Sequence, residues 1–287
     1  MLGLGVMIPA RGWALIFGAA SGIALISLWD DFTSLHAGIR FACHAIAACV
    51  VVIGICLYGA VWPLSEAGPS SYLLSIGLVF WSIGLTNVYN FMDGIDGIAG
   101  VQGVVGGGAW CVAGVYLGQY SVGALGALVA GSCAGFLAYN WSPAKIFMGD
   151  VGSAFLGFVF SVFPLIAAGG MSKDGTTKSL RILVFAVMVV WPFIADGVFT
   201  FCRRLLKGEQ VWKAHRSHLY QRMVQAGMSH SKTASFYCAW SVVCSVSGFC
   251  HLRDGKWLWA VTAAISFATT ALVFALYLER RKALNRG

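Results

Sequence analysis

The chain has 287 residues, 59% of them hydrophobic and only 10% charged, and its mean hydropathy is +0.79. A soluble domain carries about 25% charged residues, so this composition excludes an ordinary soluble protein and indicates a polytopic membrane protein. The net charge of +8 does not point to nucleic acid, because basic loops of membrane proteins are retained in the cytoplasm.

Nine apolar runs reach the length of about 20 residues that a helix needs to cross a bilayer. We therefore predict one all-α transmembrane domain over residues 1–287, and the short connections leave no room for a separate soluble domain. The nine cysteines include no C-x-x-C pair, and we interpret them as small buried hydrophobes rather than a disulfide framework. The runs lie near residues 11–29, 41–62, 72–89, 96–117, 121–139, 153–170, 182–202, 234–252 and 257–278.

Alternation through nine helices sorts the loops onto two sides of the membrane. The side that receives the loops after the first, third, fifth and seventh helices, and the tail after Leu278, holds 13 of the 19 Lys and Arg residues. That side is therefore predicted to be cytoplasmic. Every unusual polar cluster also falls there. A lipid or solute transporter more often places its charges near the bilayer midplane, so the pattern favours an enzyme that acts on a soluble substrate at the membrane surface.

Asp30 and Asp31 close the first predicted helix. Adjacent carboxylates on a helix point in different directions, so we expect one to serve a functional site and the other to cap or orient. A solvated pair that only ends the helix is the alternative.

The stretch Asn87–Gly100 contains Asn87, Asn90, Asp93 and Asp96 directly after an apolar run. Asp-Gly is ordinarily a turn signal, but carboxylates at the end of a membrane helix are expensive and usually functional. Asp93 and Asp96 are three residues apart and would share one face of a helical turn. We interpret the stretch as half of an active site that holds a divalent cation or the hydroxyl groups of a polar ligand.

A second polar loop, Asn140–Ser153, combines Lys145 with the turn Gly-Asp150-Val-Gly-Ser153. Glycines let the backbone approach a phosphate, and the helix that Ser153 begins favours anions at its N-terminal amides. The spacing of a P-loop is absent. Asp150 is a candidate Mg²⁺ ligand, and a plain structural turn is the alternative.

The longest cytoplasmic loop carries His215, Arg216, His218 and Arg222. His215 and His218 share a helical face, but a third soft ligand at zinc spacing is lacking. The segment then either contacts anionic lipid headgroups or binds a diphosphate through its histidines and arginines, and we favour the diphosphate.

Asp196 is the acidic residue that lies inside a predicted helix, with Thr200 and Arg203 on the same stripe. A rise of 1.5 Å per residue places it roughly 10 Å below Arg203. We expect it to anchor the floor of the site or to pair internally with a basic side chain.

Four motifs stand in this order: Asp30-Asp31, N-x-x-N-F-x-D-G-x-D-G from Asn87, P-A-x-x-F-M-G-D-x-G-S to Ser153, and H-R-x-H-L-Y-Q from His215. Together they span about residues 24–225, and they resemble the polyprenyl-phosphate N-acetylhexosamine-1-phosphate transferase family. The last motif is similar to the O-antigen-initiating branch of glycosyltransferase family 4, because the peptidoglycan branch has a more His-rich loop.

The resemblance implies transfer of an N-acetylhexosamine-1-phosphate from a UDP-sugar to undecaprenyl phosphate, with release of UMP, at the bacterial inner membrane. The partners it implies are both substrates and membrane lipids, but no nucleic acid; a homodimer is a candidate assembly. Catalytic roles fall on Asp30, Asp31, Asp93, Asp96 and Asp150. Substrate-binding roles fall on Asn87, Asn90, Asn140, Lys145, Ser153, Asp196, Arg203, His215, Arg216 and His218.

Attack on a diphosphate accumulates negative charge, so Mg²⁺ held by carboxylates is the expected stabiliser, with Mn²⁺ as the alternative. Asp150 and Asp93 are the predicted metal ligands. The second pKa of a phosphate monoester is about 6, so the acceptor is mostly dianionic and needs no strong base. We therefore expect direct attack, with Asp31 in a positioning role, rather than a covalent intermediate on Asp150.

One departure concerns the start of the chain. Members of this family usually begin with a further helix and a P-T-P-x-x-G-G-like loop, whereas only Met1–Arg11 precedes the first helix here. We expect either a coding start further upstream or a truncated, catalytically impaired member.

Overall fold

The structure is a computed structural model that describes residues 10–57, 69–169, 176–210 and 216–255, and positions 261, 264, 265, 268, 269, 272, 275 and 279. Its described part contains helices and no strand, which confirms the predicted all-α class. The helices are α1 (Ala10–Thr33), α2 (Ala37–Leu57), α3 (Pro69–Met92), α4 (Ile98–Leu117), α5 (Tyr120–Asn140), α6 (Gly149–Gly169), α7 (Thr176–Val189), α8 (Trp191–Leu206), α9 (Leu219–Gln225) and α10 (His230–Asp254).

Seven of these helices, α1 to α6 and α10, are long and apolar enough to cross a membrane. The pair α7 and α8 passes the same test when taken together. The protein is therefore a multi-pass membrane protein, and eight of the nine predicted spans have a counterpart among the described helices. The ninth, at 257–278, lies mainly outside the described residues.

The predicted span 182–202 is wrong as a single helix. It is divided between α7 and α8, which meet at an angle of 69°. Pro192 lies in the first turn of α8, where its missing N–H costs nothing, but it cannot continue the hydrogen bonding of α7. The carbonyl of Val189 accepts a hydrogen bond from Gln102 Nε2 at 2.8 Å, and Ser241 holds Gln102 Oε1 at 2.7 Å. Polar side chains of α4 and α10 thus satisfy the backbone at the break.

Helix α6 forms the centre of the bundle. Every residue from Leu156 to Gly169 is buried, and α6 packs against α1, α3 and α7. A Cβ on Gly157 would lie 2.8 Å from the Leu85 carbonyl oxygen, so a glycine is required for α3 to approach this closely. Trp81 Nε1 donates to the Ser161 carbonyl at 3.1 Å, which adds a polar bond to this interface.

Helices α4 and α5 also approach at backbone distance. A Cβ on Gly107 would lie 2.6 Å from the backbone nitrogen of Ala130, and a Cβ on Gly126 would lie 2.5 Å from that of Cys111. Small residues allow such contacts in lipid, where packing replaces the hydrophobic effect as the driving force.

Polar contacts join the ends of seven elements at one end of the bundle, which we call the polar end. The C-terminal ends of α1, α3 and α5 meet the N-terminal ends of α2, α4, α6 and α10 there. These contacts are Asp30–Arg40–Asp150, Asn90–Ser153, Gly97–Asn140 and Asp96–His230. Three of the four polar motifs, those at 30–31, 87–97 and 140–153, therefore meet at one end of the bundle.

Candidate active site

Arg40, in the first turns of α2, connects two predicted site residues. Its Nη1 lies 2.6 Å from Asp30 Oδ2 and 2.9 Å from Asp150 Oδ2. Asp30 is only 8% exposed, and its other oxygen accepts the Leu35 backbone N–H at 2.7 Å. Asp30 therefore caps the turn after α1 and orients Arg40, while the guanidinium extends to the carboxylate of α6.

Asp31 lies on the outer side of the same helix end and is exposed. Its Oδ1 accepts the backbone N–H of Asp150 at 3.4 Å, and its Oδ2 would lie 3.0 Å from a Cβ on Gly149. Gly149 has a φ of +66°, which a glycine adopts without strain. Within the pair, Asp30 is thus the residue that caps and orients. Asp31 faces outward at the polar end.

Asp93 follows α3 in a turn that faces the N-terminus of α6. Ser153 Oγ donates to Asn90 Oδ1 at 2.9 Å, and Asn90 also hydrogen-bonds the Asp150 side chain. Burial, with a further contribution from the negative charge of Asp150, raises the pKa of Asp93 to about 7. Asp93, Asn90, Asp150 and Ser153 therefore form one group of oxygen atoms between α3 and α6.

This group fits a divalent cation. The negative charge of Asp150 disfavours ionisation of Asp93, a cation between two carboxylates would offset such repulsion, and hard cations prefer oxygen ligands. Arg40 forms an ion pair with Asp150. The negative charge of Asp93 is disfavoured by burial and by Asp150, so a bound cation would stabilise it.

Asp96 points to other partners, so the prediction that it shares a helical face with Asp93 is wrong. Residues 93–97 form a turn rather than a helical segment, because the two Asp-Gly pairs favour a turn and Gly97 has a φ of +81°. The Asp96 carboxylate lies 3.3 Å from His230 Nδ1 and accepts the Ala144 N–H at 3.3 Å. Partial burial works against ionisation, but the hydrogen bonds from Ala144, Ser142 and His230 outweigh it and lower the pKa of Asp96.

Three further predicted residues form internal connections or lie at the surface. Asn140, 4% exposed, accepts the Gly97 N–H at 2.9 Å and donates to the Ile146 carbonyl at 2.8 Å. It therefore ties the turn after α3 to the loop after α5. Asn87 donates to the Ile83 carbonyl one turn back in α3 at 2.7 Å. Lys145 is exposed in the loop before α6.

Asp196 is fully buried and accepts hydrogen bonds from three parts of the chain. Tyr237 Oη lies at 2.7 Å, the backbone N–H groups of Leu219 and Tyr220 at 2.8 and 3.2 Å, His218 Nδ1 at 3.2 Å and Thr200 Oγ1 at 3.0 Å. Of the predicted stripe, Thr200 thus contacts Asp196. Arg203 extends instead to the Ser217 carbonyl at 3.4 Å.

The segment Arg216–Arg222, which we call the basic loop, includes the first four residues of α9 and is held by α8 and by the last residue of α9. Gln225 Nε2 donates to the Arg216 carbonyl at 3.0 Å, and the Arg216 side chain is exposed. His218 is only 6% exposed and lies against Asp196. His215 lies outside the described residues.

The chain matches known proteins over most of its length. Residues 13–168 match the model of the glycosyl transferase family 4. The chain is 30% identical over 260 residues to the probable undecaprenyl-phosphate N-acetylglucosaminyl 1-phosphate transferase of Bacillus subtilis, a match that covers 90% of this chain and 71% of the relative. The chain belongs to glycosyl transferase family 4.

Other relatives are more distant or are covered less completely. A decaprenyl-phosphate N-acetylglucosaminephosphotransferase of Mycobacterium leprae is 31% identical over 251 residues, which are 80% of this chain and 62% of the relative. A phospho-N-acetylmuramoyl-pentapeptide-transferase of Staphylococcus aureus is 27% identical over 180 residues, which are 63% of this chain and 52% of that protein.

Within this family 4 chain, sequence analysis did not identify Arg40, His230, Tyr220 and Tyr237. Arg40 is separated by 110 residues from Asp150, so only the fold shows that they pair. One signal was present: Arg40 is the basic residue in the loop that follows Asp30-Asp31. Tyr220 also carried a signal, because it stands in the H-R-x-H-L-Y-Q motif. Tyr237 carried none, since tyrosines in apolar helices are ordinarily core residues.

Proposed function

We propose that the protein transfers N-acetylglucosamine-1-phosphate from its UDP-linked form to a polyprenyl phosphate and releases UMP. The observation that carries this proposal is the cluster of Asp31, Asp93 and Asp150 with Arg40 at the polar end. It is supported by two relatives named for transfer of N-acetylglucosamine phosphate to polyprenyl phosphates. Undecaprenyl phosphate as acceptor, and initiation of O-antigen or another surface glycan, are finer parts of the same proposal.

We further propose that Asp150 and Asp93 hold Mg²⁺, with Mn²⁺ as a substitute. Among the described residues, no group of three or more His, Cys, Asp and Glu side chains is arranged to hold a metal ion. Mg²⁺ commonly binds through one or two carboxylates and completes its shell with water and substrate phosphates. When bound, it would neutralise charge that develops on the diphosphate.

The acceptor phosphate needs a cation that faces the membrane boundary. Both ion pairs of Arg40 use Nη1, and a guanidinium carries further N–H donors on Nη2 and Nε. These donors suit a phosphate oxygen, and charge-assisted hydrogen bonds of this kind are strong. Asp31 faces the same region and would orient the incoming phosphate.

The reaction requires one bond to form and one to break. An oxygen of the acceptor dianion attacks the phosphorus that carries the sugar, and the bond from that phosphorus to the UMP oxygen breaks. UMP leaves with that electron pair, and the product is a polyprenyl diphosphate that carries the sugar. Arg216, in the basic loop, would contact the diphosphate. With the polar end in the cytoplasm, the soluble UDP-sugar would reach the site directly.

The test is a transfer assay with purified protein, radiolabelled UDP-sugars and lipid acceptors. We expect label from UDP-N-acetylglucosamine to enter the lipid phase with undecaprenyl or decaprenyl phosphate, to require Mg²⁺ and to stop with EDTA. Transfer from a different UDP-sugar would show that the proposed donor is wrong and would identify the true one. Failure with every donor, under conditions where a purified relative is active, would refute the proposed function.

A lipid or solute transporter is the competing class, and the most buried acidic residue in the described part of the chain argues against it. Asp196 accepts five hydrogen bonds from protein groups. A carboxylate so fully bonded is stabilised where it stands and is poorly suited to bind and release a solute.

A further inference from the structure

Asp196 anchors the basic loop. It accepts the backbone N–H groups of Leu219 and Tyr220, which open α9. The first N–H groups of a helix have no partner within the helix, so a buried carboxylate at this point fixes where the helix begins. Since Asp196 itself belongs to α8, the basic loop is fixed to the bundle through α8.

Tyr220 connects this anchored loop to α3. It is fully buried, and its Oη donates to the Phe91 carbonyl at 3.0 Å. Phe91 lies one residue before the end of α3, where carbonyl groups lack partners in the helix. The phenol therefore caps the helix end that leads directly into Asp93.

Gly94 shows how closely the two segments approach. A Cβ at this position would overlap the Tyr220 hydroxyl group, and it would lie 3.0 and 3.2 Å from two ring carbons. Burial raises the pKa of Tyr220, and the nearby charges of Asp196 and Asp93 add to this effect. The phenol is therefore a neutral donor at any working pH, and the first Gly of the D-G-x-D-G motif makes room for it.

We propose that Tyr220 is a positioning residue that couples the basic loop, which carries Arg216, to the turn that carries Asp93. Asp196 is the anchor of this link and does not contact substrate. The inference rests on the proposed function, because it assigns the link to UDP-sugar binding: Arg216 and Asp93 must hold a fixed spacing to bind one diphosphate together. A loosened link weakens donor binding and leaves acceptor binding unchanged.

The first test replaces Tyr220→Phe, which keeps the ring and removes one hydrogen bond. We expect the KM for the UDP-sugar to rise about fivefold to tenfold, the factor that corresponds to one hydrogen bond. The KM for the polyprenyl phosphate should stay within about twofold. Ser82→Ala is the matched control, because it removes a buried hydroxyl that bonds Ser161 Oγ at 2.7 Å and contacts neither the basic loop nor the turn.

Thermal unfolding separates positioning from stability. We expect Ser82→Ala to lower the melting temperature about as much as Tyr220→Phe does, while its donor KM stays close to that of the unmodified protein. If the donor KM of both variants rises in proportion to the lost stability, Tyr220 is only a core residue and the proposal is overturned.

A double-mutant cycle tests the contact with Gly94 directly. Gly94→Ala should raise the donor KM sharply, because its Cβ overlaps the Tyr220 hydroxyl. Adding Tyr220→Phe removes that hydroxyl and should restore part of the loss, so the two changes are strongly non-additive. Additive effects would show that the loop and the turn are not coupled through this pair.

Hydrogen exchange supplies a readout that needs no turnover. In Tyr220→Phe, amides of residues 91–97 and 216–225 should exchange faster together, while those of α4 should not change. Unchanged exchange in either segment would overturn the link even if no UDP-sugar were turned over. Faster exchange in both segments with an unchanged donor KM would show that the link has no role in donor binding.

Discussion

The carboxylates of the polar end differ in what they contact, and this determines how each responds to substitution. Asp150 lies between Arg40 and Asn90 at the start of α6, whereas Asp96 faces His230. The same loss of charge should therefore have different consequences at the two positions.

Asp150→Asn should reduce turnover by more than about a hundredfold, which is beyond the loss expected for residues that only support a metal ligand. The amide keeps the shape of the side chain and removes the charge that we propose to hold the cation. The measurement is the transfer rate as a function of Mg²⁺ concentration. Asp254→Asn, at the far end of α10, is the control and should be fully active. Near-normal turnover of Asp150→Asn at low Mg²⁺ would place the metal elsewhere.

Arg40→Gln should weaken binding of the polyprenyl phosphate and lower the melting temperature in EDTA. Without the guanidinium, the largely buried Asp30 carboxylate loses its counterion, and an unpaired charge in such a place is costly. Arg40→Lys should keep part of both properties, because a single ammonium cannot provide the same fork of donors. An unchanged acceptor KM in Arg40→Gln would exclude contact between Arg40 and the acceptor phosphate.

Asp93 should make the metal-free protein less stable as the pH rises. Its pKa is about 7 in the folded state against a reference of 3.8, so between these values the folded state holds a proton that the unfolded state has lost. Stability from this group is present below about pH 4, falls as pH rises to about 7, and is then constant. Melting temperatures in EDTA from pH 5 to 8 should decline less for Asp93→Asn than for the unmodified protein. Parallel declines would contradict the assignment.

Much of this chemistry was accessible from the sequence, because charge is rare in an apolar chain and marks function. What could not be derived was the division of roles. The spacing of Asp30 and Asp31 predicts that they diverge, but only the contact with Arg40 shows which one is turned inward. Similarly, the position of Asp196 predicts a deep carboxylate with Thr200 beside it, but the other four donors come from residues 218–220 and Tyr237, which the sequence does not bring together with it.

At the scale of helices, the length of the apolar runs predicted the spans but not the break between α7 and α8. Pro192, inside the run 182–202, was the local signal for this break. The contacts that satisfy the backbone there come from Gln102 and Ser241, which are distant in sequence and could not be derived from the run itself.

The turn between α3 and α4 should be sensitive to any side chain at its last residue. Gly97 and Gly118 flank α4, and both have a positive φ, of +81° and +70°. A Cβ on Gly97 would lie 3.2 Å from the Trp141 ring, whereas one on Gly118 would meet nothing within 4 Å. Both changes to Ala share the backbone strain of about 1 kcal/mol.

Gly97→Ala should therefore destabilise the protein more than Gly118→Ala and should also reduce transfer, because the turn carries Asp93 and Asp96. Thermal unfolding and the transfer assay, run on both variants, measure the two effects. Equal losses would mean that strain alone accounts for them and that the contact with Trp141 is unimportant.

For the molecule as a whole, the distribution of basic residues predicts which end faces the cytoplasm. Green fluorescent protein fused after Glu209 should fluoresce, and alkaline phosphatase fused at the same residue should be inactive. Fusions at Gly118, in the turn at the opposite end of α4, should give the reverse pattern. An active phosphatase after Glu209 would show that the topology is inverted. The site would then lie on the opposite side of the membrane from its soluble substrate.

The position of α6 in the chain sets the order in which the parts of the site are synthesised. Asp30, Arg40, Asp93 and Asp150 all precede Gly169, the last residue of α6, and the basic loop follows some fifty residues later. A chain that has left the ribosome as far as the end of α6 thus already contains the paired helix ends that carry these four residues. The half of the site that we propose to bind the cation is therefore made before the segment that we propose to contact the nucleotide, and cation affinity should precede nucleotide affinity during biosynthesis.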